Sequence, residues 1–209
     1  MSQLSFTDLS PDLILDAIQS VGIYVESGLL ALNSYENRVY QFGGEDNKRY
    51  VVKFYRPQRW SREQILEEHE FALELDKAEV PLVAPLVING QTLFEHKGYW
   101  FALFPSVGGR TFEVDNLEHL EWMGRFIGRI HLIGQTKPFV HRPTISCEEY
   151  LHQAGDFLKQ SQFIPSYLTA AFNPILDFVI DKAQQQYFAT DQIRLHGDCP
   201  PGNILWRDG

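Results

Sequence analysis

The stretch His196-Gly197-Asp198-Cys199-Pro200-Pro201-Gly202-Asn203-Ile204-Leu205-Trp206 sets a carboxylate and a primary amide five positions apart on a Gly/Pro-rich loop that runs into an apolar segment. Asp198 can orient a hydroxyl group. The side-chain oxygen of Asn203 can bind a metal ion. One short loop thereby carries both. His196 reads as a residue that holds the loop by hydrogen bonds, not as a base, and Cys199 as structural, because nothing nearby would lower its pKa. Ile193–Leu195 is expected to be a short strand leading in, and Ile204–Trp206 a strand leading out. Asp208-Gly209 then fits a tight turn.

Upstream, the chain divides into a strand-rich first half and a helix-rich second half. Ser10-Pro11 opens a helix whose stripe Leu13, Ile14, Ala17, Ile18 and Val21 ends at Gly22. Strands are expected at Leu29–Leu32, Arg38–Phe42 and Arg49–Tyr55. Ser61-Arg62-Glu63-Gln64 is a capping box that starts a helix through Ala78. Two strands are then expected around 82–88 and 91–94, joined by Asn89-Gly90, with a further strand at Tyr99–Phe104. Beyond Gly108-Gly109 the pattern is helical: Leu117–Ile133, with Gly124 and Gly128 spaced for close helix packing, and a helix over Pro165–Tyr187 with Pro174 as a kink. Ser146-Cys147-Glu148-Glu149 is a second capping box. Strands followed by helices indicate an α+β fold or two lobes, hinged near Pro105–Gly109.

Composition bounds the function. The 209 residues suffice for one domain or two small lobes, and 44% hydrophobic with 13% aromatic content describes a globular protein. A net charge of −9 argues against a protein that coats nucleic acid. Two cysteines, Cys147 and Cys199, support neither a disulfide framework nor a zinc site. No signal peptide or membrane span is read, so a cytoplasmic setting is expected, with no nucleic-acid or membrane partner and a monomeric state.

Lys53, in Tyr50-Val51-Val52-Lys53-Phe54-Tyr55, is a lysine inside a β-branched and aromatic strand. It is either a phosphate-binding lysine or a lysine on the strand's solvent face. The helix that follows carries Glu63, Glu67, Glu68, Glu70 and Glu74, most of which would form a solvated face. Glu68 is the best placed to pair with Lys53, with Glu67 as its competitor. Ser34 and Asn37, between the first two strands, could donate to phosphate oxygens, although no G-x-G-x-x-G is present. His131, alone on an apolar helix face, reads as a packed core residue.

The order of Lys53, Glu68, the Gly124…Gly128…His131 helix and His196-Gly-Asp198…Gly202-Asn203 resembles the aminoglycoside-phosphotransferase and choline-kinase-like branch of the protein-kinase-like fold. The segments Leu32–Phe42, Val51–Pro57, Phe104–Arg110, His141–Thr144 and Leu195–Cys199 are similar, within it, to bacterial serine/threonine protein kinases of stress response. The resemblance implies a bilobal fold, with a small lobe at 1–105 and a partial helical lobe at 106–209. It implies ATP and Mg²⁺ as cofactors and a protein serine or threonine hydroxyl as acceptor. By it, Asp198 is the catalytic acid and Asn203 a metal ligand. Lys53 contacts the ATP phosphates, Glu68 holds Lys53, and Ser34 lies in the phosphate-covering loop. The backbone around Phe104, Ser106 and Val107 meets adenine.

Two departures from that pattern are visible. The family's second metal-binding aspartate is expected on a return strand beyond Gly209, and Asp208 is not read as that residue. The 209 residues alone are therefore expected to transfer phosphate weakly or not at all. Pro200-Pro201 stands where the family commonly has a histidine. The alternatives are a phosphotransferase for a small, cationic acceptor and an inactive nucleotide-binding remnant.

Overall fold

The computed structural model describes residues 5–188 and 190–207. The chain forms two compact units, Met1–His141 with Ile193–Gly209, and Arg142–Gln192. The fold is α+β.

In the first unit, β1 (Leu30–Leu32), β2 (Arg38–Gly43), β3 (Arg49–Phe54), β4 (Phe94–His96) and β5 (Tyr99–Pro105) make an antiparallel sheet in the order β1-β2-β3-β5-β4. Alternation along the strands sends side chains to opposite faces. Phe42, Tyr50, Val52, Phe54, Phe101 and Leu103 face α1 (Pro11–Ser20), which contributes Ile14, Ala17 and Ile18 to this core. The helix starts as the sequence predicts: Ser10 Oγ accepts from the Leu13 N–H and Pro11 occupies the first turn. Gly22 lies just past its end at φ +83°, a conformation in which glycine costs least.

α2 (Arg62–Lys77) is inserted between β3 and β4. Its capping box is complete: Ser61 Oγ accepts from Gln64 N–H, and Gln64 Oε1 accepts from Ser61 N–H. Ile65 packs with Tyr55, Leu93 and Ala102 under the sheet. One to three turns further on, Phe71 and Leu75 pack with Val80 and with Ile130 of α3 (Leu117–Gly134). The helix thus joins two cores.

The strands expected around 82–88 and 91–94 do not form. Asn89 and Gly90 do make a tight turn, at φ +52° and +78°, but it closes a lone Ile88–Gln91 bridge. Pro81 and Pro85 lack N–H groups, so no ladder can extend back from it. The Leu86 N–H donates instead to Leu103 O, at 2.7 Å. The true hairpin turns at Lys97-Gly98, φ +49° and +86°, between β4 and β5.

After β5 the chain forms β6 (Arg110–Thr111), which pairs with β7 (Leu205–Trp206) in a two-stranded sheet. Ile193–Leu195 is not a strand. Among the described residues, nothing outside their own helix packs on Gly124 or Gly128: a Cβ added at either would meet no such atom within 4 Å. Gly134 is the helix glycine at a close contact, since a Cβ there would lie 2.2 Å from the Arg194 carbonyl oxygen.

The second unit contains a turn of π-helix at Glu148–His152, α4 (Gln153–Gln160) and α5 (Ser166–Gln186), which holds Pro174 internally. Ser146 Oγ accepts from Glu149 N–H, half of the expected capping box. Gly155 allows α4 to approach α5, because a Cβ there would fall 2.6 Å from Ile180 Cδ1. The expected turn at Asp208-Gly209 lies outside the described residues.

Candidate functional site

The register of the sheet decides which way Lys53 points. Val39 opposes Lys53 on β2, and Ala102 opposes it on β5. Directly paired residues share a face. Leu30, Leu32, Val39, Gln41, Val51, Ala102 and Phe104 therefore lie on the Lys53 side, away from α1. Leu30 and Leu32 are exposed, and Val39 and Val51 half-buried, so this face offers an apolar platform. It was not singled out in the sequence, although the alternation encodes it.

Lys53 Nζ stands 3.4 Å from Glu68 Oε1 and 4.6 Å from the centre of the Tyr55 ring. Of the two glutamates left open by the sequence, Glu68 is the one at Lys53. Glu67 accepts instead from the N–H groups of Val140 and His141. Glu70 and Glu74 both pair with Lys137, and Glu74 also with Arg194. All five glutamates thus hold a partner, Glu63 at the Ser61 cap, where a mostly solvated face was expected. The Lys53–Glu68 pair is part-exposed, so its worth to stability is about 0–1 kcal/mol. Its importance is positional.

Behind this pair, His69 is buried between Tyr55 Oη at 2.7 Å and Thr92 Oγ1 at 2.9 Å. Burial pushes its pKa down to about 4, so the ring is neutral and can donate through one nitrogen and accept through the other. The buried histidines are His69 and His119. His131 is exposed, against expectation.

In the β1–β2 connection, Ser34 Oγ accepts from the Asn37 N–H at 3.2 Å, which leaves its hydroxyl hydrogen able to donate elsewhere. Asn37 Oδ1 accepts from Arg56 N–H, and Glu36 accepts from Arg59 and Trp60. The loop is thus tied to the segment after β3.

At the other end of β5, the Ser106 N–H donates to Arg49 O and its Oγ accepts from Gln41 Nε2, both at 3.0 Å. The Tyr55 N–H donates to Trp100 O. These bonds place Tyr50–Pro105 as a non-hydrogen-bonded pair, with the Pro105 carbonyl turned away from β3. Phe104 and Val107 are half-buried beside it.

The loop that carries Asp198 and Asn203 belongs to the same compact unit. Asn203 Nδ2 donates to Asp198 Oδ2 at 3.0 Å and to the Asp198 carbonyl at 3.2 Å. The amide's NH₂ is committed to the aspartate, which turns its oxygen outward as an acceptor. The Asp198 N–H donates to His196 Nδ1 at 3.3 Å, consistent with a loop-holding histidine. Gly197 takes φ +77° between them. Pro200 and Pro201 lead into a 3₁₀ turn, Pro201–Asn203, closed by Asn203 N–H to Pro200 O at 2.9 Å. The fixed proline φ suits that turn, and the turn uses their carbonyls alone. Burial and the adjacent Asp198 charge push the Cys199 thiol up, away from its thiolate form.

Both ends of the loop are anchored by contacts the sequence did not reveal. At the entry, Arg194 is almost fully buried. At the exit, Trp206 stacks on buried His119, ring centres 3.7 Å apart. Gly109 lets β7 approach, because a Cβ there would lie 2.8 Å from Leu205 Cβ. Among the described residues, no group of three or more His, Cys, Asp or Glu could hold a metal. No helix among them is long and apolar enough to cross a membrane.

Residues 29–209 match the model of the phosphotransferase enzyme family. The chain belongs to that family. The chain is similar to stress response kinase A of Escherichia coli (strain K12), 54% identical over 210 residues, covering 100% of this chain and 64% of that protein. The serine/threonine protein kinase RdoA of Salmonella typhimurium (strain LT2) is 54% identical over 208 residues, 98% of this chain and 63% of its own length. The chain thus spans just under two thirds of the length of these phosphotransferase-family relatives. Two solved structures share the fold. An amicoumacin kinase in complex with AMP-PNP and Ca²⁺ has a TM-score of 0.64 at 18% identity, over 85% of this chain and 55% of its own. A spectinomycin phosphotransferase in complex with ADP and spectinomycin has a TM-score of 0.62 at 16% identity, over 96% and 66%.

Proposed function

We propose that this chain holds ATP and the catalytic acid of a Mg²⁺-dependent serine/threonine protein kinase that acts in stress response. The observation that carries the reading is the Asp198–Asn203 hydrogen-bonded pair, on a loop in the same compact unit as the Lys53–Glu68 pair. Phosphoryl transfer asks little covalent work of a protein and much positioning and charge neutralisation. Each pair supplies one part. Lys53, held by Glu68, meets the phosphates. Asp198 accepts from the acceptor hydroxyl and orients it. Ser34, with its donor hydrogen, covers the phosphates.

The platform formed by Leu30, Leu32, Val39 and Val51 suits a purine ring. The Pro105 carbonyl and the Val107 N–H suit its polar edge, since the Ser106 N–H is already committed to Arg49. Phe104 closes the inner end of that platform. Asn203 Oδ1 is a hard oxygen donor, of the kind Mg²⁺ takes alongside phosphate oxygens and water. A bound Mg²⁺ would neutralise phosphate charge as transfer proceeds. Small-molecule phosphotransferases share the fold, but fold does not select the acceptor. The protein acceptor is supported by the names of the relatives at 54% identity. A cytoplasmic location accords with those names.

ATP/Mg²⁺ thermal shift and radiolabel transfer to serine- and threonine-bearing protein test this on the full-length protein. Asp198→Asn is expected to keep the ATP-induced shift and to lose transfer by roughly 10²–10⁴-fold. Lys53→Ala is expected to lose most of the shift. Transfer undiminished in Asp198→Asn would overturn the reading.

A further inference from the structure

Arg194 carries a charge into the interior four residues before Asp198. Its side chain is 2% exposed. Such burial is rare for arginine without compensation, and the compensation here comes from two separate pieces of chain, α2 and the stretch 133–139. Its Nη2 lies 2.8 Å from Glu74 Oε2 on α2. The same nitrogen donates to Ile133 O at 3.2 Å and Thr136 Oγ1 at 3.3 Å, at the end of α3. The guanidinium sits over the Phe71 ring of α2, 4.3 Å from its centre, with Phe139 at 5.8 Å. The backbone is seated as well. The Arg194 N–H donates to Gly134 O at 3.2 Å, and the Arg194 carbonyl occupies space that any side chain at 134 would fill.

Glu74 is held from its other side by Lys137. Burial alone would push its carboxyl up, but the hydrogen bonds and charges of Arg194 and Lys137 outweigh that and hold its pKa down. α2 is also the helix that carries Glu68, six residues earlier on the same rigid rod. The middle of that helix therefore sets Lys53, and its last turn holds the root of the Asp198 loop.

We infer that Arg194 is a positioning residue that ties the Asp198 loop to the helix bearing Glu68, so that the acid and the phosphate-binding lysine are set by one element. It touches neither nucleotide nor acceptor. The catalytic consequence rests on the kinase reading above, and the mechanical tie does not. A plain core arginine would predict that its loss loosens its own surroundings. The tie predicts more: a change at Glu74, on α2, must be felt in 195–199.

Hydrogen exchange on the full-length protein reads this directly. Glu74→Gln keeps the size of the side chain and removes the charge, and Arg194→Met removes the fork. A melting curve for each establishes that it is folded. If Arg194→Met does not fold, Glu74→Gln alone decides. Expected is faster exchange in 195–199 in Glu74→Gln, with Arg194→Lys intermediate between wild type and Arg194→Met. Exchange that rises only around residue 74 in Glu74→Gln overturns the tie. Kinetics then separate the two claims. With an active wild type, Glu74→Gln is expected to lower kcat about tenfold with KM for ATP changed less than twofold. A raised KM at unchanged kcat overturns the positioning role. Coupled exchange in a protein with no transfer activity would leave the tie standing and the kinase reading fallen.

Discussion

The two halves of the proposed site are held in different ways. Lys53 and Glu68 stand on a strand and a helix, where neighbouring backbone hydrogen bonds repeat the same constraint many times. β3 is paired on both sides, and α2 is capped and packed against two cores. Asp198 and Asn203 stand on a segment without a ladder between Arg194 and β7. It is held by discrete contacts: Arg194 and Gly134 at one end, a proline-led turn in the middle, Trp206 on His119 at the other. The regular half should degrade gradually under substitution. The loop half should fail at single contacts.

The largest effect that would sharpen this contrast is one of pH on the regular half. His69 has a folded pKa of about 4, below the ordinary value of 6.5, because burial disfavours its charged form. The unfolded chain therefore takes up the proton first. Its contribution is complete above about pH 6.5 and is lost as pH falls towards 4, by roughly 3 kcal/mol in all. Urea unfolding at pH 7 and pH 4.5 should show wild type losing markedly more stability than His69→Gln. Equal losses in the two proteins would place the pH sensitivity elsewhere.

On the loop half, one methyl group is expected to suffice. Gly134→Ala puts a carbon against the Arg194 carbonyl, at a cost of about 1–3 kcal/mol in stability. Transfer should fall while the ATP-induced thermal shift persists, since the platform and Lys53 are untouched. A variant with wild-type transfer would show that the loop is not seated by this approach. The smallest effect sets the scale on the regular side. Ser61→Ala removes half of a complete capping box and should cost ~1 kcal/mol, seen as a lowered Tm, with transfer unchanged. A large loss of transfer in that variant would break the distinction between the halves.

The same distinction explains what could be read from the sequence. Ser10, the Ser61/Gln64 box and the β2 and β3 strands depend on residues a few positions apart, and Glu68 lies fifteen positions from Lys53. Local pattern carries them. The Asp198-to-Asn203 spacing was legible for the same reason. Arg194, Gly134, His119 and Trp206 were not, because each is explained by a partner far along the chain: Gly134 meets Arg194 sixty positions away. Gly124 and Gly128 have the spacing of a packing motif and, among the described residues, no neighbour outside their own helix within 4 Å. Asn89-Gly90 has the chemistry of a hairpin turn but closes only a lone bridge, with no strand on either side of it and Pro85 interrupting the donors on one. The apolar platform was encoded by alternation, yet needed the register to show that its residues share a face.

α2 offers one last consequence. Glu67, Glu70 and Glu74, at spacings of three and four residues, share one face of the helix, and Glu68 points about 100° round the axis from Glu67. The shared face is engaged by Lys137, the Val140–His141 backbone and Arg194, and Glu68 by Lys53. A roll of the helix about its own axis would release them together. Two faces of one helix are thus pinned at once, so a rotation that drew Glu68 away from Lys53 would also pull on the contacts that seat Arg194.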